Sequence, residues 1–414
     1  MRKYLIIAAL ILFGMGAQAQ REVAIEHLKV LCSSEYAGRG YVNNGMQKAA
    51  SYIVNQLKKH KIEPAALNKQ YLQTVKPLAV NTFPTEVFFK GAFEASNTTI
   101  NRNLKAEEFL IHPASGSISI KQKVLEIYDW HDAIKKSLKS EAVYYINNSK
   151  FEPSLTNEII QYILTSTSLE NTVLLVSDSI LPAWYPSPNS SKNAVVYLSA
   201  VGKPIKIDAY WKSEFNPAFE ANNVLGKVNG KRSDSAIMFT AHYDHLGMMG
   251  QYVFPGANDN ASGVAMLLTL AQYYEQNPPE FDTYFLFTCA EEIGLLGSYH
   301  FVTNPTFELK RIKFLINLDL VGTGEEGIAV VNGEEQSQFV NLLKQNSNFN
   351  QIKIRGAACN SDHCYFDKAG IPAVFIYTLG GSKAYHNTAD DAENPSLAAF
   401  NALQLALINT LNEF

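Results

Sequence analysis

Gly256-Ala257-Asn258-Asp259-Asn260-Ala261-Ser262-Gly263 runs on into Val264-Ala265-Met266-Leu267-Leu268 and Leu270-Ala271, setting one acidic residue among small and amide residues ahead of an apolar run at helical spacing. Asp259 therefore stands at the start of a helix, where the macrodipole favours negative charge and backbone N–H groups lack partners. On its own the stretch reads as an ordinary cap, with Asp259 or Ser262 accepting from the first turn. Four other stretches change that reading. Residues 236–241 read as a strand ending in His242-Tyr243-Asp244, and 283–290 as one ending in Glu291-Glu292. Residues 314–318 end in Asp319, and 373–377 precede a Gly-Gly loop and Tyr385-His386. In an α/β sheet, ligands collect outside the carboxyl ends of the strands. Two His and three or four carboxylates gathered there form a mixed N/O set suited to zinc.

The series resembles the M28 family of zinc aminopeptidases, whose motifs run His-x-Asp, Gly-Ala-x-Asp-Asn-x-Ser-Gly, Glu-Glu-x-Gly-Leu-x-Gly-Ser, an Asp after an apolar strand, and a late Tyr-His. Here they stand as His242-Tyr243-Asp244, Gly256 to Gly263, Glu291 to Ser298, Asn317-Leu318-Asp319 and Tyr385-His386. The resemblance covers roughly residues 221–414, with a shorter stretch near the start of the mature chain. It implies a secreted di-zinc aminopeptidase that removes N-terminal residues from peptides, using a water held between two Zn²⁺ or other divalent ions. Carried over residue by residue, it makes Asp259 the bridging carboxylate. Glu292 and His386 complete one ion's ligands, His242 and Asp319 the other's. Glu291 is implied as general base and then acid, its pKa held low by the two cations. Adjacent residues along a regular strand point opposite ways, so Glu291-Glu292 must lie where the strand ends. Asp244 is implied as the partner orienting the ring of His242, and the Asp259–Asn260 peptide as cis. Tyr385 and Asp362 are placed at the substrate pocket, while His245 takes a supporting or loop role outside the ligand set.

Two departures bear on pocket shape. Gly380 to Ala384 lacks the His that many bacterial relatives carry there, and Cys364 stands where an aromatic is common. Two other readings stay open. A glutaminyl cyclase on the same fold would keep Asp259, Glu292 and His386 with a single zinc and no hydrolysis. A peptidase-like binding module would not need the full set of His242, Asp259, Glu291, Glu292, Asp319 and His386.

At the chain start, Met1-Arg2-Lys3, an apolar core from Tyr4 to Met15 and Ala17-Gln18-Ala19 make a Sec-type signal peptide over residues 1–19. The exported protein is then periplasmic or secreted, with no stable membrane insertion. Removing Arg2 and Lys3 takes the formal charge from −4 to −6, with no basic stripe for nucleic acid. With 414 residues and 47% hydrophobic composition, the chain exceeds one average domain. Residues 20–79 read as the first part of a peptidase domain, in which Ser33 to Gly40 and a helix from Met46 to His60 look like the family's mature start. Arg39 reads there as a structural pairing residue. Residues 80–215 carry short β-like runs and two helical stretches without any metal-type cluster. Glu108 to Gly116 faintly resembles the protease-associated insertion of many M28 peptidases, so this part reads as a lid or substrate-shaping insertion, with a purely structural role left open. Residues 216–414 are the catalytic part, with a hairpin signal at Asn229-Gly230. The fold class expected is α/β, a mixed and largely parallel central sheet with helices on both faces and an inserted smaller domain. Cys359 and Cys364, five apart in a polar loop, are open to a short disulfide in an exported protein; some secreted relatives carry one nearby with slightly different spacing. Cys289 reads as a small buried hydrophobe.

Overall fold

The computed structural model describes residues 20–95, 98–381 and 384–414. The signal-peptide segment 1–19 lies outside the described residues. Strands Phe281–Thr288, Arg232–His242, Ile312–Leu318 and Ala373–Leu379 lie side by side in that order, all parallel. They form the centre of a nine-stranded sheet whose flanks turn antiparallel, Glu214–Val228 on one side and Gly327–Val331 on the other. All eight residues of Phe281–Thr288 are buried, in keeping with the apolar run Tyr284 to Phe287 of a strand covered on both faces, while the buried Asp282 pairs with Lys227 and Arg311.

Alternation along the strands divides two cores. Ile237, Phe239 and Ala241 point into a core shared with helix 20–31, Gly45–Lys59, Ser262–Gln276, Ser337–Gln345 and Phe400–Glu413. Ala236 and Met238 point the other way, onto Phe301 of Leu296–Thr303 and Phe366 of His363–Lys368. The Asn229-Gly230 turn makes no hairpin. Phe281–Thr288 lies between the strands on either side of it and pairs with both. Gly230 donates its N–H to Asp282 Oδ1 at 3.0 Å, so the turn caps that central strand instead.

A second, eight-stranded sheet is built from strands lying between Phe88 and Trp211. Leu72–Thr82 and Glu214–Val228 pair antiparallel and run from the first sheet toward it, so positions 80 and 215 fall inside continuous strands. The second sheet's core also takes in Leu246, Met249 and Phe254 from the loop that follows His242. This shared packing brings the inserted sheet against the loop leading to Asp259. Among the described residues no helix is long and apolar enough to cross a membrane.

Candidate metal centre

The Gly256–Gly263 stretch is a one-turn π-helix, Ala257–Ala261, running into the helix Ser262–Gln276. Neither Asp259 nor Ser262 caps it. Asn260 does: its Oδ1 accepts from Gly263 N at 2.9 Å, while its Nδ2 donates to Leu318 O at 3.0 Å. Ser262 Oγ donates to Asn258 O and accepts from Val321 N. A Cβ on Gly263 would lie 2.3 Å from Asn260 Oδ1 and 2.4 Å from Leu318 O, so only glycine fits there. The small and amide residues thus lash the turn to the chain around Asp319, and the Asp259 carboxylate is left free to point outward. The Asp259–Asn260 peptide is cis.

Around that carboxylate the ends of the parallel strands converge. Asp259 Oδ1 lies 3.2 Å from His242 Nε2, and Asp319 Oδ1 lies 3.4 Å from the same nitrogen. Asp259 Oδ2 lies 3.1 Å from His386 Nε2, and Glu292 Oε2 is 3.2 Å from that nitrogen. His242, Glu291 and Asp319 offer ligand atoms within 4.8 Å of one another, as do His242, Asp259 and Glu292. All of these residues are buried except Glu291, which is partly open. Asp319 Oδ1 and His386 Nε2 are buried with no hydrogen-bond partner. Buried N and O donors that converge at these distances, two of them unpartnered, fit divalent cations, and the donor set suits zinc.

Electrostatics point the same way. Burial works against the His386 cation, yet the carboxylates of Asp259 and Glu292 beside its Nε2 outweigh that and, with only a proton to balance their charge, push its pKa up to about 11. Burial raises Glu291 well above the carboxylate range, and Glu292, Asp319 and Asp362 add to this against the pull of His242. The protein's own groups therefore do not hold Glu291 low; the lowering expected of a general base here would require bound cations.

A further layer sets the imidazoles. His242 Nδ1 donates to the backbone carbonyl of Asp244 at 3.1 Å, and His386 Nδ1 to the carbonyl of Trp184 at 2.8 Å. A carbonyl only accepts, so each Nδ1 carries a proton, which leaves each Nε2 as the nitrogen that would give its lone pair to a bound cation. Asp244 thus orients His242 through its main chain; its carboxylate stands 3.8 Å from Nδ1 and instead accepts from Glu291 N and Glu292 N. It fixes the turn after Thr288, where the strand has ended and Ala290 takes φ +56°. Burial lifts the Asp244 carboxyl to about 7, with His242 opposing and Glu292 adding to the rise. Ser361 Oγ donates to Asp319 Oδ2 at 2.9 Å, in a loop closed by a Cys359–Cys364 disulfide.

Asp362 is a correction. Expected at the substrate pocket, it is fully buried, accepts from the Thr288 hydroxyl and is absent from the cavity wall. Tyr385 is half exposed, stacks on His386 at 3.9 Å and lines a cavity of about 240 Å³ over the cluster.

Several residues at the centre escaped the sequence reading. His245, assigned only a supporting or loop role, is fully buried with Nδ1 2.6 Å from Glu292 Oε1. Asp390 accepts the N–H groups of Asn258 and Asp259. Its position four residues after His386, facing a turn rich in unpartnered N–H groups, was the available signal. From the insertion, Trp184 supplies the acceptor for His386, and the Tyr185 ring packs on His386 at 4.4 Å. No side-chain pattern announces a backbone carbonyl.

Arg39 pairs, but with carbonyls. Fully buried, it donates to Leu31 O, Tyr243 O, Pro255 O, Gly256 O and Asp259 O. Gly38, at φ +60°, would bring a Cβ within 2.3 Å of Gly247 O, so the Gly-Arg-Gly loop must approach this closely to reach those acceptors. Arg39→Met should strand several buried carbonyls and lower the unfolding free energy by about 3 kcal/mol or more. A urea midpoint shift worth less than about 0.5 kcal/mol would remove this role.

Residues 223–411 match the sequence profile of peptidase family M28. Aminopeptidase YwaD of Bacillus subtilis (strain 168) is 32% identical over 197 residues, 42% of this chain and 41% of that protein, so less than half of the relative's length is spanned. Among solved structures, the zinc aminopeptidase BSAP from Bacillus subtilis aligns with TM-score 0.63 at 20% identity, covering 93% of this chain and 94% of that one. A peptidase M28 precursor from Shewanella amazonensis SB2B aligns with TM-score 0.64 at 13% identity, over 96% of each chain. At such identities the two structures establish a shared fold, insertion included, and the profile match identifies the part that carries the cluster. The likeness to peptidase family M28 is thus carried by residues 223–411, the part of the chain that holds the whole cluster.

Proposed function

We propose that the protein is a zinc-dependent aminopeptidase releasing N-terminal residues from peptides, with two zinc ions sharing Asp259. The observation that carries this reading is the division of Asp259: each carboxylate oxygen faces a different imidazole, and each imidazole has a second carboxylate beside it. His242, Asp319 and Asp259 Oδ1 would hold one ion, His386, Glu292 and Asp259 Oδ2 the other. Bound there, zinc supplies a strong nucleophile at neutral pH and polarises the scissile carbonyl. Glu291 lines the cavity, accepts the attacking water's proton on its carboxylate and returns it to the leaving amide nitrogen. Asp244, through the two backbone N–H groups it accepts, keeps Glu291 facing the cavity and Glu292 facing His386. Small-molecule sites usually run to ~300–1,000 Å³, so a cavity of about 240 Å³ takes a chain end rather than a folded loop.

The inserted domain reads as a pocket-shaping lid, supported by the reach of Trp184 and Tyr185 to His386. Export to the periplasm or beyond is supported by the leader-like start, and the Cys359–Cys364 bond fits an oxidising compartment. A panel of aminoacyl-arylamides and dipeptides, with and without added Zn²⁺, tests the activity. Hydrolysis should vanish with a chelator, return with zinc and fail on N-acetylated substrates. Chelator-insensitive turnover, or cyclisation of N-terminal Gln with one zinc per chain, would replace this reading.

A further inference from the structure

The cavity over the cluster is lined by charges of both signs. Asp259, Glu291, Glu292 and Asp319 supply the negative ones, and Arg355 lines the same space. The backbone puts Arg355 there. It follows the outer strand Ile352–Ile354, donates its N–H to Val330 O at 2.9 Å and accepts from Gly333 N at 3.0 Å. From this point the chain crosses to the Cys359–Cys364 loop, where Ser361 grips Asp319. One loop therefore delivers both a support for a ligand and a cation to the cavity rim.

The side chain is exposed, and its Nη1 donates to Tyr377 OH at 2.9 Å, with the guanidinium 6.0 Å from the Tyr377 ring centre. Among the described residues, no carboxylate lies within 4.0 Å of it. The buried acids of the cluster are instead engaged by His242, His245, His386 and Ser361. A guanidinium steadied by a neutral hydroxyl, with most of its five N–H groups still free, is set up for a planar anion, and a carboxylate is the planar anion that peptides carry.

We propose that Arg355 binds a carboxylate of the substrate, so that the protein favours short peptides with an anionic group close to the scissile bond. Either the C-terminal carboxylate of a dipeptide or an acidic side chain at the first position supplies that group. The reacting end of a peptide lies at the cluster while its carboxylate meets Arg355, within a cavity of about 240 Å³. The aminopeptidase reading above enters only in locating the scissile bond.

Calorimetric titration of the zinc-loaded, full-length protein tests this, in a Glu291→Gln background that suppresses turnover. Leucylglycine is compared with leucylglycinamide, and glutamylglycinamide with glutaminylglycinamide. In at least one pair the acid should bind on the order of tenfold tighter, as for one charge-assisted bidentate contact. Adding Arg355→Gln should erase the preference, and Arg355→Lys should keep part of it. The first pair responding assigns the terminal carboxylate, the second the side chain. Equal affinities in both pairs, no measurable binding of the acids, or a preference that survives Arg355→Gln would overturn the proposal. Hydrolysis is assayed separately on wild-type protein. Turnover without an acid preference leaves the peptidase reading standing and removes Arg355; an acid preference without turnover does the reverse.

Discussion

Glu291→Gln should retain its zinc and still bind substrate analogues, yet lose roughly 10²–10⁴-fold in kcat, the usual worth of a general base. The substitution keeps shape. Asp244 goes on accepting from the backbone N–H groups of residues 291 and 292, so the turn stays in place. Glu292→Gln should fail differently. Its Oε2 faces His386 Nε2 and its Oε1 takes the His245 Nδ1 proton, so the amide loses the ligand's charge and sets an NH₂ group against one of the two imidazoles. Activity should then fall together with zinc affinity and be partly recovered by excess zinc. Measuring kcat and bound zinc for both variants separates the roles. Metal loss in Glu291→Gln with metal kept in Glu292→Gln would show that they are assigned the wrong way round.

Asp259→Asn should have the largest effect on metal content. Losing the negative charge shared by the His242 and His386 groups weakens both at once. Even a change to a ligand's supporting partner costs 10–100-fold in affinity, so loss of a shared ligand should cost at least about 100-fold at each ion. His242→Ala, by contrast, should weaken chiefly the ion that also uses Asp319. Elemental analysis after dialysis against a mild chelator checks both, with two ions per chain expected in the unaltered protein. If Asp259→Asn keeps two ions, the shared role is refuted. A single tight ion in the unaltered protein, with no gain on titrating a second, would favour the cyclase alternative.

Most of the cluster was legible as linear pattern, and the reason is geometric. A parallel strand buried on both faces must be written as an apolar run, and parallel neighbours end at one edge of the sheet. Polar residues that close such runs, as His242, Glu291-Glu292 and Asp319 do, are therefore brought together by topology alone. Helical spacing after Gly263 similarly located the turn carrying Asp259. The Glu291-Glu292 pair even required the strand to have ended, since alternation would otherwise separate the two side chains.

What orients those residues was not legible, because orientation depends on contacts between distant segments. The acceptor for His386 is the carbonyl of Trp184, about two hundred positions away in an inserted sheet, and a carbonyl is the same whatever residue bears it. Asp244 looked like the partner of the nearest imidazole, yet its carboxylate turns to the N–H groups of the glutamate turn. Asp362 looked available to substrate, and Thr288 and complete burial withdraw it. Arg355 is an ordinary basic residue in a polar loop until the edge strand places it at a cavity that four carboxylates also line. By itself the sequence determined which side chains the strand ends bring to one edge, since burial on both faces leaves its mark on every residue of a strand. Only the tertiary structure decided which atom of each one faces the metal site, because hydrogen-bond direction is set where segments remote in the chain meet.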